Sequence, residues 1–98
     1  MEDVRRYSSF IKRIVTAPIN IRKRLLKTSN LTIVKAICEL LLNILQKNIP
    51  TSKSVIKQLK KHKKTLYKLF EKGTNLEAKK AILIKKCTLL SQLSSVFK

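Results

Sequence analysis

The stretch from residue 30 to residue 47 constrains the fold more than any other part of the chain. It reads NLTIVKAICELLLNILQK, and apolar residues occupy almost every side of the helix that this spacing predicts. A helix of this kind is buried on most of its sides, because water would otherwise meet a large apolar surface. We therefore expect a central core helix around which the other elements pack. Its few polar positions form one narrow stripe: Thr32, Lys35, Glu39, Asn43 and Gln46.

Helix breakers are scarce along the whole chain. The 98 residues include one glycine and two prolines, and 44% of the residues are hydrophobic. This composition favours helices over a turn-rich β architecture and suffices for one small core. We predict an all-α fold, a compact bundle of four to five helices around the central apolar helix. We expect a single helical domain over residues 1–98, whose last residues, 91–98, fray or dock on a partner.

Capping and breaking residues divide the chain into five predicted helices. The signals are Ser, Thr or Asn at the caps, and proline or glycine beyond the ends. The first helix covers residues 2–15 and is ended by Ala17-Pro18, and a short second helix is capped by Asn20, with Ile21, Leu25 and Leu26 facing inward. The third covers residues 30–47, is capped by Ser29 or Asn30 and is ended by Asn48-Ile49-Pro50. The fourth covers residues 52–72, is capped by Thr51 or Ser52 and is closed by Gly73, and the last is opened by a Thr74–Glu77 capping box and weakened near Lys86 to Thr88.

The net charge is the strongest indication of function. Twenty-three lysines and arginines stand against five acidic residues, which gives a formal net charge of +18. Self-repulsion of this size destabilises a compact monomer unless anions are bound. Nucleic acid is the commonest partner of such a chain, followed by an anionic membrane surface or an acidic protein.

Residues 52–72 combine an apolar band with a row of lysines. On a helix, these lysines recur at steps of four or three and form a continuous cationic ridge about 30 Å long. Like charges at this spacing repel, and Glu71 is the one acidic residue in the segment. A phosphate backbone would neutralise such a ridge. The band is Val55, Leu59, His62, Leu66 and Leu69, widened by Ile56 and Phe70; the ridge is Lys53, Lys57, Lys61, Lys64, Lys68 and Lys72, flanked by Lys60 and Lys63.

We predict that the partner is nucleic acid, DNA in particular, bound through its backbone. Lysines neutralise phosphates and carry no sequence information directly, so the predicted binding is non-specific. All five arginines lie before residue 25 and extend the basic surface, as do two lysines near the last helix. The predicted nucleic-acid-binding residues are Lys53, Lys57, Lys60, Lys61, Lys64, Lys68, Lys72, Arg5, Arg6, Arg13, Arg22, Arg24, Lys79 and Lys80.

Four further residues invite a chemical interpretation, and for each we favour a structural one. We expect Tyr67 to cover the edge of the core, with stacking on an exposed base as the alternative. His62 lies in the apolar band and is predicted to pack there. Cys38 and Cys87 have no metal-ligand spacing and are predicted to be buried free thiols.

The sequence carries no arrangement typical of an enzyme. It has one histidine, five scattered acidic residues, no glycine-rich phosphate loop and no nucleophile elbow. We expect no catalysis, no metal, no cofactor and no small-molecule substrate. Met1 leads into Glu2 and Asp3 rather than into a signal peptide. We therefore expect that the protein is not secreted.

The order of features from Ile37 onward resembles small basic late or core-like proteins of Polinton/Maverick elements and adintovirus-like DNA viruses. The resemblance covers about residues 25 to 86 and implies a role near a DNA genome, in the nucleus or a virion, like that of adenovirus-type core proteins. Such relatives often continue into a Gln-Lys-Gly-Gly-type protease site, whereas this chain reads Lys85-Lys86-Cys87-Thr88. The matching features are Ile37-Cys38-Glu39, Asn43-Ile44-Leu45, Asn48-Ile49-Pro50, Lys60 to Lys64 with Leu66, and Lys79-Lys80 before Ile82-Leu83.

Two classes of function stay open at this point. The first is a non-specific nucleic-acid-binding protein that binds or condenses viral or mobile-element DNA through the lysine ridge. The second is an oligomeric helical module that binds an acidic protein, with the core helix and the tail Leu89 to Phe97 as its interface. Membrane-surface binding is disfavoured, because the chain lacks Trp and needs its apolar band for the core.

Overall fold

The fold is all-α, as predicted, but it contains more helices than the sequence pattern indicates. A computed structural model describes the backbone of residues 2–97 and the side chains of residues 4–93. Helix accounts for 78% of the chain, and no strand occurs within residues 2–97. Eight helices are present there instead of four to five: α1 (Glu2–Arg6), α2 (Ser8–Thr16), α3 (Ile19–Thr28), α4 (Leu31–Leu45), α5 (Lys53–Lys60), α6 (Lys63–Phe70), α7 (Leu76–Lys85) and a C-terminal 3-10 helix (Cys87–Phe97).

Helix α4 is the predicted core helix. Its N-cap is Asn30, whose side-chain oxygen accepts a hydrogen bond of 2.9 Å from the backbone N–H of Ile33. Eight of its side chains are buried, and α1, α5, α6 and α7 all pack against it. Each fully buried Leu or Ile contributes roughly 1.5–3 kcal/mol to the stability of the fold. The chain therefore wraps around α4 because its apolar surface extends around most of the helix.

Helix α4 ends in a motif that puts a lysine in an unusual conformation. The N–H of Asn48 donates to the carbonyl oxygen of Asn43 at 2.9 Å, and the N–H of Lys47 donates to that of Ile44 at 3.1 Å. These two bonds form a Schellman motif, in which the residue after the C-cap is left-handed and usually glycine. Here that residue is Lys47, with a φ of 62°.

Two long predicted helices are each divided in two. The predicted helix 2–15 is interrupted at Tyr7, and the predicted helix 52–72 is interrupted at Lys61 and His62. At the second break the N–H of His62 donates to the carbonyl oxygen of Leu59, three residues back, which makes a tight turn. A straight 21-residue helix would be about 30 Å long, and the molecule measures 31 × 30 × 25 Å. The break lets α5 pack on α4 and the 3-10 helix while α6 packs on α4 and α7.

Several predicted boundaries are wrong in detail. Helix α3 begins directly after Pro18 with no side-chain cap, so Asn20 is not its N-cap. Ile21 is 44% exposed instead of facing inward. Gly73 has no positive φ and does not close a left-handed C-cap. Asn75, rather than Thr74, caps α7 by accepting from the N–H of Ala78 at 2.8 Å.

The C-terminal segment packs on the protein's own core. The helix breaks after Lys85, as predicted, and continues as a 3-10 helix. A 3-10 helix has three residues per turn, so Cys87, Leu90 and Leu93 lie on one face, and all three are buried. Leu89 is fully buried as well. The expectation that residues 91–98 fray or dock on a partner stays a prediction; Leu93 is buried in the core, and the side chains beyond it lie outside the described residues.

Candidate nucleic-acid interface

The residues from Lys47 to Lys68 form the most basic part of the chain. They include eight lysines and no aspartate or glutamate. All eight are exposed, while the apolar residues between them point into the core: Val55, Leu59, Leu66 and Leu69 are buried, and Ile56 and Phe70 are half-buried. Lys72 is exposed beyond α6. The predicted separation of an apolar band from a lysine surface is thus confirmed for these positions.

The turn at Lys61 and His62 interrupts the predicted straight ridge and leaves two groups of lysines that share Lys63. One group lies with the end of α4 and forms what we call the basic groove. The other group lies around the turn and meets Lys86 from the end of α7; we call it the turn cluster. The lysines of the basic groove are Lys47, Lys53, Lys57, Lys60 and Lys63. Those of the turn cluster are Lys61, Lys63, Lys64 and Lys86, with His62 and Thr65 between them.

The basic groove consists of three adjoining hollows. The first, of about 260 Å³, and the second, of about 320 Å³, share Lys47, Lys53 and Ile56. The second joins the third, of about 500 Å³, at Lys60. Lysines line its sides and apolar residues its floor. The apolar lining residues are Leu45, Ile49, Ile56, Leu66 and Phe70.

Tyr67 lies at the α6 end of the basic groove and does not cover the core edge as expected. Its side chain is 62% exposed. The Nζ atom of Lys63, one helical turn away, lies 5.6 Å from the centroid of the ring. The ring also borders a shallow hollow with Lys68 and Glu71. Tyr67 is therefore available to a partner, which was the alternative interpretation of this residue.

His62 occupies the turn between α5 and α6. Its side chain is half-buried, and it borders the turn cluster rather than lying within the apolar band alone. At the N-cap position of α6 it makes no side-chain capping hydrogen bond. The prediction that His62 packs fully into the band is therefore only partly right.

Arg22 is not part of any outer basic surface, and we remove it from the candidate residues. Its side chain is 4% exposed. Its guanidinium donates to the carbonyl oxygens of Ile14, Val15 and Ala17 at 2.9–3.0 Å, at and just beyond the end of α2. It also donates to the Cys87 carbonyl oxygen at 2.8 Å and to the Ser91 hydroxyl at 2.7 Å. Burial lowers the pKa of this guanidinium from its ordinary value. Arg22 thus caps α2 and links it to the C-terminal 3-10 helix.

The other predicted basic residues stand away from the groove or are engaged. The elements that carry the arginines, α1, α2 and α3, pack mainly on α4, α7, the 3-10 helix and one another. Lys79 is half-buried near Cys38. Lys80 is half-buried, and its Nζ donates to the carbonyl oxygen of Ser29 at 2.8 Å. The exposed arginines are Arg5, Arg6, Arg13 and Arg24.

The described residues offer little other chemistry. Cys38 and Cys87 are buried free thiols, as predicted. Burial raises the pKa of Cys38 to about 11, so it is a poor nucleophile at neutral pH. Within the described residues no three His, Cys, Asp or Glu side chains come together as metal ligands. None of the helices seen there is long and apolar enough to cross a membrane.

Three lysines of the interface were missing from the predicted set. Lys63 is predicted only to flank the ridge, whereas the structure places it between the basic groove and the turn cluster. Lys47 and Lys86 follow the ends of α4 and α7, so they reach α5 and α6 only through the tertiary fold. The left-handed position of Lys47 has one sequence signal, the Asn48-Ile49-Pro50 stop that follows it.

No match to this chain is found among protein-family models, curated proteins or solved structures. The resemblance to proteins of Polinton/Maverick elements and adintovirus-like viruses therefore stays a prediction. What can be inferred about function comes from the charge and shape of the surface.

Proposed function

We propose that the protein binds nucleic acid without sequence specificity, through the exposed lysines of α5 and α6. The observation that supports this best is the run from Lys47 to Lys68, with eight exposed lysines and no acidic residue. An ordinary solvated helix face mixes lysine with glutamate and recovers energy from i,i+4 pairs. The lysines of residues 47–68 have no acidic residue in the same segment to pair with. A row of phosphates would neutralise their charge instead.

The residue types favour backbone contact over base reading. Bidentate recognition of a base edge relies on Arg, Asn or Gln, whereas a lysine ammonium acts as a point charge. Of the five arginines, Arg22 is buried and the others lie on α1 to α3. We therefore propose phosphate neutralisation that is tolerant of sequence. The resemblance adds a context for it, the binding or condensing of viral or mobile-element DNA in a nucleus or virion.

The test is binding to a random-sequence DNA duplex at several salt concentrations. If about six phosphates are neutralised, the slope of log affinity against log salt is roughly −5. The variant Lys57→Gln/Lys60→Gln/Lys61→Gln/Lys64→Gln is expected to bind about tenfold or more weakly, with a flatter slope. Its matched control is Lys12→Gln/Lys23→Gln/Lys27→Gln/Lys85→Gln, which removes the same charge from exposed lysines elsewhere.

Two outcomes contradict the proposal. A slope near zero for the wild-type protein excludes a phosphate-dominated interface. Equal weakening by the two quadruple variants means that net charge, and not the α5–α6 surface, drives binding.

An oligomeric module that binds an acidic protein remains a second proposal, but its predicted interface is largely unavailable. Eight side chains of α4 and the residues Leu89, Leu90 and Leu93 are buried in the core. Size-exclusion chromatography with light scattering tests it. A stable oligomer that does not bind DNA supports this alternative over nucleic-acid binding.

A further inference from the structure

We propose that the basic groove takes a single strand of nucleic acid, with an unpaired base seated beside Tyr67. This inference rests on the proposed function and names the form of nucleic acid that the groove fits. Its starting point is that the groove is amphipathic. Lysines line it along its whole length, yet its floor is built from Ile56, Leu66 and Phe70 and their apolar neighbours.

An apolar floor discriminates between single and double strands. A duplex keeps the faces of its bases stacked inside and presents phosphates outside, so it has no apolar surface to place on this floor. A single strand exposes its base faces, and proteins that bind it combine a basic groove with aromatic platforms. Only an unpaired strand can therefore place its phosphates on the lysines and its base faces on the apolar floor.

The hollow at the α6 end has the composition of a base-binding site. Its volume of about 500 Å³ lies within the range of about 300–1,000 Å³ that small-molecule sites occupy. Tyr67, Leu66 and Phe70 provide aromatic and apolar surface, and Lys60 and Lys63 stand at its rim. Lys63 already lies over the Tyr67 ring at 5.6 Å, an exposed contact that is weak and easily exchanged for a phosphate.

The lysine spacing fits an extended strand that follows the groove. Lys53, Lys57 and Lys60 are separated by four and three residues, so they lie one turn apart on the same side of α5. Lys63 continues the row across the turn, at the start of α6. Successive phosphates of one strand can therefore meet successive lysines while a base reaches the hollow beside Tyr67.

The backbone of Lys47 is unusual for a residue that lines the groove. A left-handed φ of 62° is unfavourable for a residue with a Cβ, and glycine is the usual residue at this point of a Schellman motif. Backbone strain of this kind tends to occur at functional positions. Here it occurs at a lysine that lines the groove together with Lys53 and Lys57.

The experiment compares a short labelled oligothymidylate with a blunt duplex of the same length, at matched salt concentrations. The wild-type protein is expected to bind the single strand about tenfold more tightly. Tyr67→Ala is expected to weaken single-strand binding by about five- to tenfold with an unchanged salt slope, since a stacked base and no phosphate contact is lost. Tyr67→Phe keeps the ring and is expected to bind like the wild type, and duplex binding is expected to be equal in all three.

The lysines are tested with variants of equal charge. Lys53→Gln/Lys57→Gln/Lys60→Gln is expected to weaken single-strand binding more than Lys61→Gln/Lys64→Gln/Lys86→Gln, which alters the turn cluster. Lys47→Gly accepts the left-handed backbone without strain, so its expected loss of affinity cannot come from unfolding. Circular dichroism establishes that each variant is folded.

Tyrosine fluorescence reports stacking directly. The chain has two tyrosines and no tryptophan. In a Tyr7→Phe variant, Tyr67 is the remaining tyrosine, and its emission is expected to fall when oligothymidylate binds. A duplex is expected to leave the emission nearly unchanged.

The possible failures are distinguishable. Absence of binding to both nucleic acids overturns this inference together with the proposed function. Suppose that the wild-type protein binds oligothymidylate and duplex equally, and that Tyr67→Ala and Tyr67→Phe bind oligothymidylate equally. This result overturns the single-strand groove and leaves non-specific binding in place. Displacement of oligothymidylate by an equimolar glutamate-rich amphipathic peptide overturns the inference in favour of an acidic protein in the same groove.

Discussion

Arg22 and Lys57 illustrate how one residue type can have opposite roles in this protein. Both look like members of a basic surface in the sequence. The Lys57 side chain is exposed over a groove, whereas the Arg22 guanidinium is enclosed and donates to five oxygen atoms. A buried charge is tolerated only when its hydrogen bonds are satisfied. Arginine suits this position because its planar group has five N–H donors.

The first prediction at the residue scale concerns Arg22. Arg22→Met leaves the buried carbonyl oxygens of Ile14 and Val15 without their donor, and is expected to cost about 3 kcal/mol in free energy of unfolding. Arg24→Met changes an exposed arginine of the same helix and is expected to cost less than about 0.5 kcal/mol. Urea unfolding followed by circular dichroism measures both. Identical midpoints for the two variants would show that the buried contacts contribute nothing.

At the scale of elements, this protein uses breaks to fit helices onto a small core. The apolar band of residues 52–72 is correctly read from the sequence, since Val55, Leu59, Leu66 and Leu69 are buried. The predicted continuity of the helix is wrong, because beside α4 the helix α5 packs on the 3-10 helix and α6 packs on α7. A turn at Lys61 and His62 keeps both halves on the core, and it also separates the lysines into two groups.

The second prediction concerns the C-terminal 3-10 helix. Leu93 is fully buried on the face that it shares with Cys87 and Leu90. Leu93→Ala is therefore expected to lower the free energy of unfolding by about 3 kcal/mol. Thr88→Ala, at an exposed position of the same segment, is expected to change it by less than about 0.5 kcal/mol. If thermal unfolding gives both variants the same midpoint, the segment frays in solution.

On the scale of the whole molecule, a charge of +18 is held within a small volume. The radius of gyration is 12.1 Å, close to the value of about 13 Å expected for a compact domain of this length. The repulsion between its surface lysines opposes folding and is relieved by salt or bound anions. We therefore expect the stability of the fold to depend on the salt and the anions around it.

The third prediction follows from this repulsion. The Tm is expected to rise as sodium chloride is added from low ionic strength, by about 4–8 °C for each kcal/mol of repulsion that is screened. Tripolyphosphate at the same ionic strength is expected to raise it further, because a bound anion stabilises only the folded state. Differential scanning calorimetry measures both effects. A Tm that is constant or falls with salt contradicts the premise that charge repulsion limits stability.

The sequence by itself determined the features that depend on near neighbours in the chain. The helical class, the burial of α4 and the separation of apolar from basic residues all follow from residue spacing over one or two turns, whereas the choice of Asn30 over Ser29 as the N-cap is seen only in the structure. The tertiary structure decided which surfaces remain free. Arg22 meets Cys87 and Ser91, which lie 65 and 69 residues further along the chain, and Lys47 and Lys86 join the interface from the ends of other helices. Contacts of this range depend on how the helices pack around α4, and no local pattern specifies that packing.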